Sequence, residues 1–294
     1  TANVVLYCGA TPVFVDVSTK TFNMDPEQVA SKVTGKTKVI IPVHLFGLCA
    51  DMDAIKAVIP KRVKILEDAA CAAGAKYKGK YAGTLGDAAV FSFHPRKSIT
   101  TGEGGMITTQ NNLFSELMDQ MRSHGATISE EQRHHGPKPY TLPDFNLLGF
   151  NYRMTDLQGS IGIVQLEKLD SFIDERSKWA TWYREKLSDI DWLKLPQEPE
   201  NGKHGWQSFV TYVDPKTAPM SRNNIMEKLQ NMGISTRPGT HAVHMLSIYK
   251  DKFGIKQNDY PGARDCDANT MAIPLHNQMI REDYEYIVNA LKSF

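Results

Sequence analysis

The stretch Val63–Thr109, "VKILEDAACAAGAKYKGKYAGTLGDAAVFSFHPRKSITTGEGGMITT", decides the fold. It holds three short apolar runs. "VKILEDAA" reads as a buried strand that ends on two acids, Glu67 and Asp68. "GDAAVFSFH" reads as a second strand and "GGMITT" as a third. Lys97 and Gly102 lie between those two, and Gly104 and Gly105 open the third. Upstream, "KVIIPVHLF" (Lys38–Phe46) is β-branched and apolar, which predicts another buried strand; "ADMDAIKAVIP" predicts a helix ended by Pro60. "PVFVDV" near the start is strand-like. Downstream, "LFSELMDQMRSHG" reads as a helix stopped at Gly125. Strands alternating with helices predict an α/β fold, with a mostly parallel sheet covered on both faces.

Residues 126–150 are polar and rich in Gly and Pro, and predict a long loop. In "NYRMTDLQGSIGIVQLEKLD", Thr155 and Gln158 have the spacing of a capping box. Leu157, Ile161 and Val164 fall on one helical face. The pattern gives one long helix or two successive ones, bridging to a second unit. The last third alternates "WQSFVTYVD" and "TMAIPLH", read as strands, with "SRNNIMEKLQNMG" and "REDYEYIVNALKSF", read as helices. A compact α+β unit is expected there. The division is therefore 1–165 for a large domain and 166–294 for a smaller one.

Bulk composition narrows the function. The 294 residues carry 34 Lys and Arg against 33 Asp and Glu, a net charge of +1, which argues against nucleic acid or an anionic membrane surface as the main partner. No apolar run is long enough for a membrane span, and nothing at the start reads as a signal peptide. The four cysteines, Cys8, Cys49, Cys71 and Cys266, form no C-x-x-C pair, so reduced thiols in a cytoplasmic protein are expected. His241 and His244 (H-x-x-H) and the pair His134–His135 lack a third ligand at suitable spacing, and no metal is expected.

A loop lysine is ordinarily a solvated charge. Lys97, however, follows a strand closely, and in parallel α/β sheets the carboxyl ends of strands open into the ligand crevice. Glycines after it let backbone approach a ligand, though the G-x-x-x-x-G-K-[ST] order of a nucleotide loop is absent. Asp68 reads equally well as a helix cap. Yet a carboxylate at one strand end and a lysine after another strand of the same sheet can share one crevice. Pyridoxal phosphate needs that combination: an amine to link to the cofactor and an acid to keep the pyridine nitrogen protonated.

The same stretch resembles the core motif of the DegT/StrS family of sugar aminotransferases, a branch of the fold-type I pyridoxal-phosphate enzymes. "GATPVFVDV", "IPVHLFGLCADMD", "GFNYRMTDLQGSIGIVQLEKLD" and "TRPGTHAVH" are similar to that family's segments, in its order. The resemblance implies that Lys97 is the Schiff-base lysine and that Asp68 faces the pyridine nitrogen. It implies that Ser92 binds the cofactor phosphate and that Asn151 reaches a neighbouring subunit's phosphate, hence a homodimer with shared active sites. Arg237 and His244 would lie near the substrate mouth, as would Arg122 and His124, each of which reads as well as a surface or interior residue. His44 would pack near the cofactor. The activity implied is transfer of an amino group from an amino acid, glutamate by family habit, to a keto-sugar linked to a nucleoside diphosphate.

Two departures stand out. Cys71 occupies a position close to the cofactor ring where the family usually has glutamine. The chain also opens without methionine on "TANVVLYCGATP", past the N-terminal phosphate loop and stacking aromatic of the family, so weak cofactor binding is expected of this chain alone. Two rival readings follow. One is a sugar dehydratase of the same family, whose members typically carry histidine in place of the lysine; the other is a non-catalytic regulator on the same fold.

Overall fold

A computed structural model describes residues 1–294 apart from positions 137, 139 and 199. The chain begins with a short exposed helix, α1 (Ala2–Tyr7). Asp25 caps α2 (Pro26–Lys32) by accepting from the Glu27 amide, with Pro26 at the first position, where its missing N–H costs nothing. Then come β1 (Val39–Ile40), α3 (Met52–Val58, capped by Asp51) and β2 (Lys64–Asp68). A small hairpin, β3 (Lys76–Tyr77) and β4 (Lys80–Tyr81), precedes β5 (Ala88–Ser92) and β6 (Gly105–Thr109). Helices α4 (Asn112–Arg122), α5 (Glu130–His135), α6 (Asp156–Glu167) and α7 (Leu169–Lys186) follow. The remainder comprises β7 (Leu193–Lys194), β8 (Gly202–Lys203), β9 (Phe209–Val213), α8 (Arg222–Asn231), β10 (Arg237–Pro238), α9 (Ser247–Phe253), α10 (Pro261–Asn269), β11 (Thr270–Ile273) and α11 (Arg281–Lys292).

The first sheet has the order β1-β2-β5-β6. β1 with β2 and β2 with β5 are parallel, and β5 with β6 is antiparallel, so the sheet is mixed and mostly parallel. Its core joins Val29, Ile40, Met52, Ile55, Ile65 and Ala69. Cover is incomplete at β6, where Met106 and Ile107 are exposed. A second, antiparallel sheet, β10-β11-β9-β7, packs with α7, α8 and α11 around Tyr183, Trp206, Phe209, Leu229, Tyr284 and Leu291.

Several expectations change. The strand expected over 38–46 pairs only at Val39–Ile40, with a single bridge from Val43 to Asp68; Phe46 then turns the chain at φ +59. "PVFVDV" forms no strand. Its Asp16 is buried and accepts from the amides of Val17, Gly262 and Ala263, so a side chain ties this segment to the start of α10. The loop expected over 126–150 contains α5, and positions 137 and 139 of it lie outside the described residues. Thr155 and Gln158 do form a capping box, and the bridging helix is two helices meeting at Lys168. Leu157, Ile161 and Val164, which share one helical face, are exposed.

Candidate active site

Strand pairing builds the site. β2 and β5 run parallel in the register Leu66↔Ala88 and Asp68↔Val90, so their carboxyl ends finish side by side. The turn after β2 carries Asp68 and Cys71, and the loop after β5 carries Lys97. Across the crevice, the Lys97 Nζ donates to the Cys71 Sγ at 3.1 Å. Lys97 forms no ion pair among the described residues, and neither does Asp68. The Asp68 Oδ1 accepts from the Ala70 amide at 3.2 Å, and Oδ2 accepts from the Thr1 hydroxyl. Ser92 ends β5 half-buried, its Oγ accepting from the His94 amide at 3.4 Å. The loop closes with the Lys97 amide bonded to the His94 carbonyl, while Phe93 N and Gly104 O continue the ladder.

Behind this front lies a polar network that sequence reasoning did not find. Successive strand residues point to opposite faces, so Glu67 points away from Asp68 and is fully buried. Its Oε2 accepts from His44 Nε2 at 2.9 Å and the Gly83 amide at 2.8 Å; its Oε1 accepts from the Leu85 and Gly86 amides, both at 2.6 Å. The Ala50 amide donates to His44 Nδ1 at 3.1 Å. That bond leaves the ring proton on Nε2, so His44 is a neutral donor to a carboxylate. Burial alone would raise the Glu67 pKa, but the bonds from His44, Gly83 and Gly86 outweigh it and hold the acid below its ordinary value. The His44 amide also donates to the Asp68 carbonyl at 2.9 Å, so the network fixes the backbone that presents Asp68. The signal in the sequence was the Glu67–Asp68 doublet itself.

The lysine loop is also fastened to the second core. Gln207 donates through Nε2 to the Arg96 carbonyl and lies 3.4 Å from the Ser98 hydroxyl. Next to it, the buried Arg176 donates to the carbonyls of Trp206, at 2.9 Å, and Gln207. The Gly205 amide donates to the Gly47 carbonyl.

Among the described residues, Asn151, Arg237, His244, Arg122 and His124 have no side-chain bond to this group. Asn151 is exposed and bridges to Ser123. Arg237 is exposed on β10, bonded to Ser235 and the Thr236 carbonyl. His244 is buried against Tyr260, with its Nε2 unpartnered among the described residues. Arg122 pairs with Asp119. His124 has φ +63 and lines a cavity of about 140 Å³ with Arg133, Phe145 and Arg153. Among the described residues, no three of His, Cys, Asp and Glu cluster in a way that could hold a metal ion.

An unpaired amine, a carboxylate with no cation on it and a strand-end hydroxyl, gathered where two parallel strands end, suit a phosphorylated aldehyde cofactor with a basic ring nitrogen. The donor set fits pyridoxal phosphate. The chain belongs to the DegT/DnrJ/EryC1/StrS aminotransferase family, whose sequence profile matches residues 1–292. It is similar to GDP-perosamine synthase of Caulobacter vibrioides, with 36% identity over 99% of this chain and 75% of the relative. It is also similar to the spore coat polysaccharide biosynthesis protein SpsC of Bacillus subtilis, with 34% identity over 99% and 75%. A Streptococcus pneumoniae chain described as a candidate sugar aminotransferase superposes in its PLP form with TM-score 0.88 and in its PMP form with 0.90. That chain is 28% identical; the match covers 99% of this chain and 76% or 77% of the other. The fold is thus fold-type I, and the protein is a pyridoxal-phosphate-dependent sugar aminotransferase. Among the described residues no helix is long and apolar enough to cross a membrane.

Proposed function

We propose that this protein moves an amino group from an amino acid, glutamate being the expected donor, to a keto-sugar linked to a nucleoside diphosphate. The observation that carries the reading is the Lys97 amine facing the Asp68–Cys71 turn with no carboxylate paired to it among the described residues. When bound, pyridoxal phosphate supplies a carbonyl that carries nitrogen and a ring that takes up electron density. The chain's own residues do the rest. Lys97 holds the cofactor between turnovers and, once released, moves the proton at the substrate carbon. Asp68 holds a proton on the ring nitrogen. Ser92 donates to the phosphate, with Asn151 of the partner subunit completing that cradle. Arg237 and His244 serve the substrate mouth. Residues 1–165 form the larger cofactor-binding domain and 166–294 the smaller one.

A homodimer with shared sites is part of this reading. Helix α6 buries none of its residues in the chain, although its mean composition is apolar. Leu157 is 79% exposed on it, and Leu148, next to Asn151, is 94% exposed. Large apolar side chains left exposed along this segment are what an interface would cover. The nucleoside diphosphate in the name of the Caulobacter relative supports the substrate class. A cytoplasmic location agrees with four unpaired cysteines.

The test is borohydride reduction of cofactor-loaded protein followed by peptide mass spectrometry. The cofactor mass is expected on the peptide holding Lys97, and Lys97→Ala is expected to lose both that label and amino transfer. The retained substrate class is read from the masses formed from glutamate and a panel of nucleotide-linked keto-sugars, with ping-pong kinetics. Label on another lysine, or transfer surviving in Lys97→Ala, overturns the assignment.

A further inference from the structure

We infer that Cys71, acting through its thiolate, is the proton partner of the Lys97 amine, taking a proton from the lysine ammonium whenever the lysine is off the cofactor. The inference rests on Lys97 being the cofactor-linking lysine. Its ground is the 3.1 Å contact between Nζ and Sγ, made from two backbone segments that are each anchored. Lys97 is followed by the buried Ser98 and Ile99, and its amide is bonded to the His94 carbonyl. Cys71 sits between Ala69 and Ala72, both fully buried, in a turn closed by the bond from the Ala72 amide to the Ala69 carbonyl. The backbone under each residue is therefore anchored to a core.

The chemistry follows from the residue types. A lysine must shed a proton before it can attack a carbonyl. The contact sets the ammonium against the sulfur, and an adjacent cation favours the ionised form of a thiol, which first gives its own proton to bulk water. From there one N–H bond breaks, one S–H bond forms, and the amine is left neutral. No oxidant or third side chain is required, and the net proton released goes to water. An amide side chain at position 71 would offer a hydrogen bond but no basic site, so cysteine here adds a function. The charged groups on the surrounding elements are otherwise engaged or point elsewhere. Asp68 accepts from the Ala70 amide and Thr1. His94 accepts from the Arg96 amide and faces Glu103 at 3.9 Å. On α7, which packs behind the turn against Gly74, Asp174 pairs with Lys203, and Arg176 holds backbone carbonyls.

Two measurements test this on protein loaded with pyridoxamine phosphate, in which the lysine is free. The first is the rate of Cys71 alkylation by iodoacetamide near pH 7.5, read by peptide mass spectrometry with Cys8 as the internal control. Burial pushes Cys49 and Cys266 up to about 12, so they stay silent. Lys97→Met is expected to slow Cys71 alkylation about tenfold, because it removes the cation that stabilises the thiolate. The second is the rate at which the lysine-linked absorbance returns after added keto acid. Cys71→Ala and Cys71→Ser are both expected to slow it about a hundredfold, since a hydroxyl keeps the hydrogen bond but is no base at this pH. Alkylation within twofold of wild type in Lys97→Met overturns the pairing. Recapture in Cys71→Ser at the wild-type rate overturns the proton transfer. Borohydride label on a different lysine defeats the reading of Lys97, and is seen independently of the alkylation comparison.

Discussion

Replacing Glu67 by glutamine is nearly isosteric, yet the structure predicts a large loss of stability. The carboxylate accepts four N–H bonds, two at each oxygen, and is fully buried. An amide must put its NH₂ toward one of these pairs. If it faces His44 and Gly83, two donors meet a donor; if it faces Leu85 and Gly86, the same holds. A tautomer change at His44 gives no escape, because its Nδ1 already accepts from the Ala50 amide. Two stranded donors at about 1–3 kcal/mol each give a loss of about 2–6 kcal/mol. That is a large share of the roughly 5–15 kcal/mol that holds a typical domain together. The assay is urea unfolding at equal, saturating pyridoxal phosphate, so that ligand binding shifts both proteins alike. The pH dependence provides a second signature. Folding lowers the Glu67 pKa from its ordinary value of 4.5, so its contribution is present above that value and is lost as pH falls below it. Glu67→Gln should flatten this acid limb. A loss below about 1 kcal/mol, or an unchanged acid limb, would refute the four-donor account.

Gly83→Ala should also destabilise, by about 2–4 kcal/mol: the residue sits at φ +92, and an added Cβ would lie 2.4 Å from Phe91 Cζ. Thermal unfolding reads it, and a shift within error would mean Phe91 moves freely. For the proposed dimer, Leu148→Glu combined with Leu157→Arg should convert the protein to monomer in light scattering. Amino transfer should fall with it, because Asn151 would no longer reach the partner site; an active monomer would contradict sharing.

The sequence was most readable where local pattern and tertiary environment agree. β2, β5 and β6 are apolar runs bounded by glycine or acids, and they lie where periodicity puts them. The placing of Lys97 and Asp68 at neighbouring strand ends was legible because strand ends of a parallel sheet converge, whereas Cys71 stood out only through the family resemblance. Pattern failed where side chains override it. "PVFVDV" looks like a strand, but Asp16 spends its carboxylate on amides at the start of α10. The run after Ile40 leaves the sheet because His44 is drawn into the Glu67 network. The α6 apolar stripe was read as one helical face, and within the single chain none of its residues is buried. Glu67 was missed as a structural anchor because the Glu67–Asp68 doublet reads simply as two acids at a strand end, while its partners are backbone amides and one ring nitrogen.

The tether from Gln207 to the Arg96 carbonyl has a practical meaning for chimeras. Grafting the C-terminal portion of a relative onto this scaffold, to borrow its sugar preference, would import whatever residue that relative has at position 207. Without an amide there, the segment bearing the nucleophile would lose its outer fastening even though every residue touching the cofactor was kept. Recombination junctions should therefore keep residues 96–98 and 205–208 from one parent.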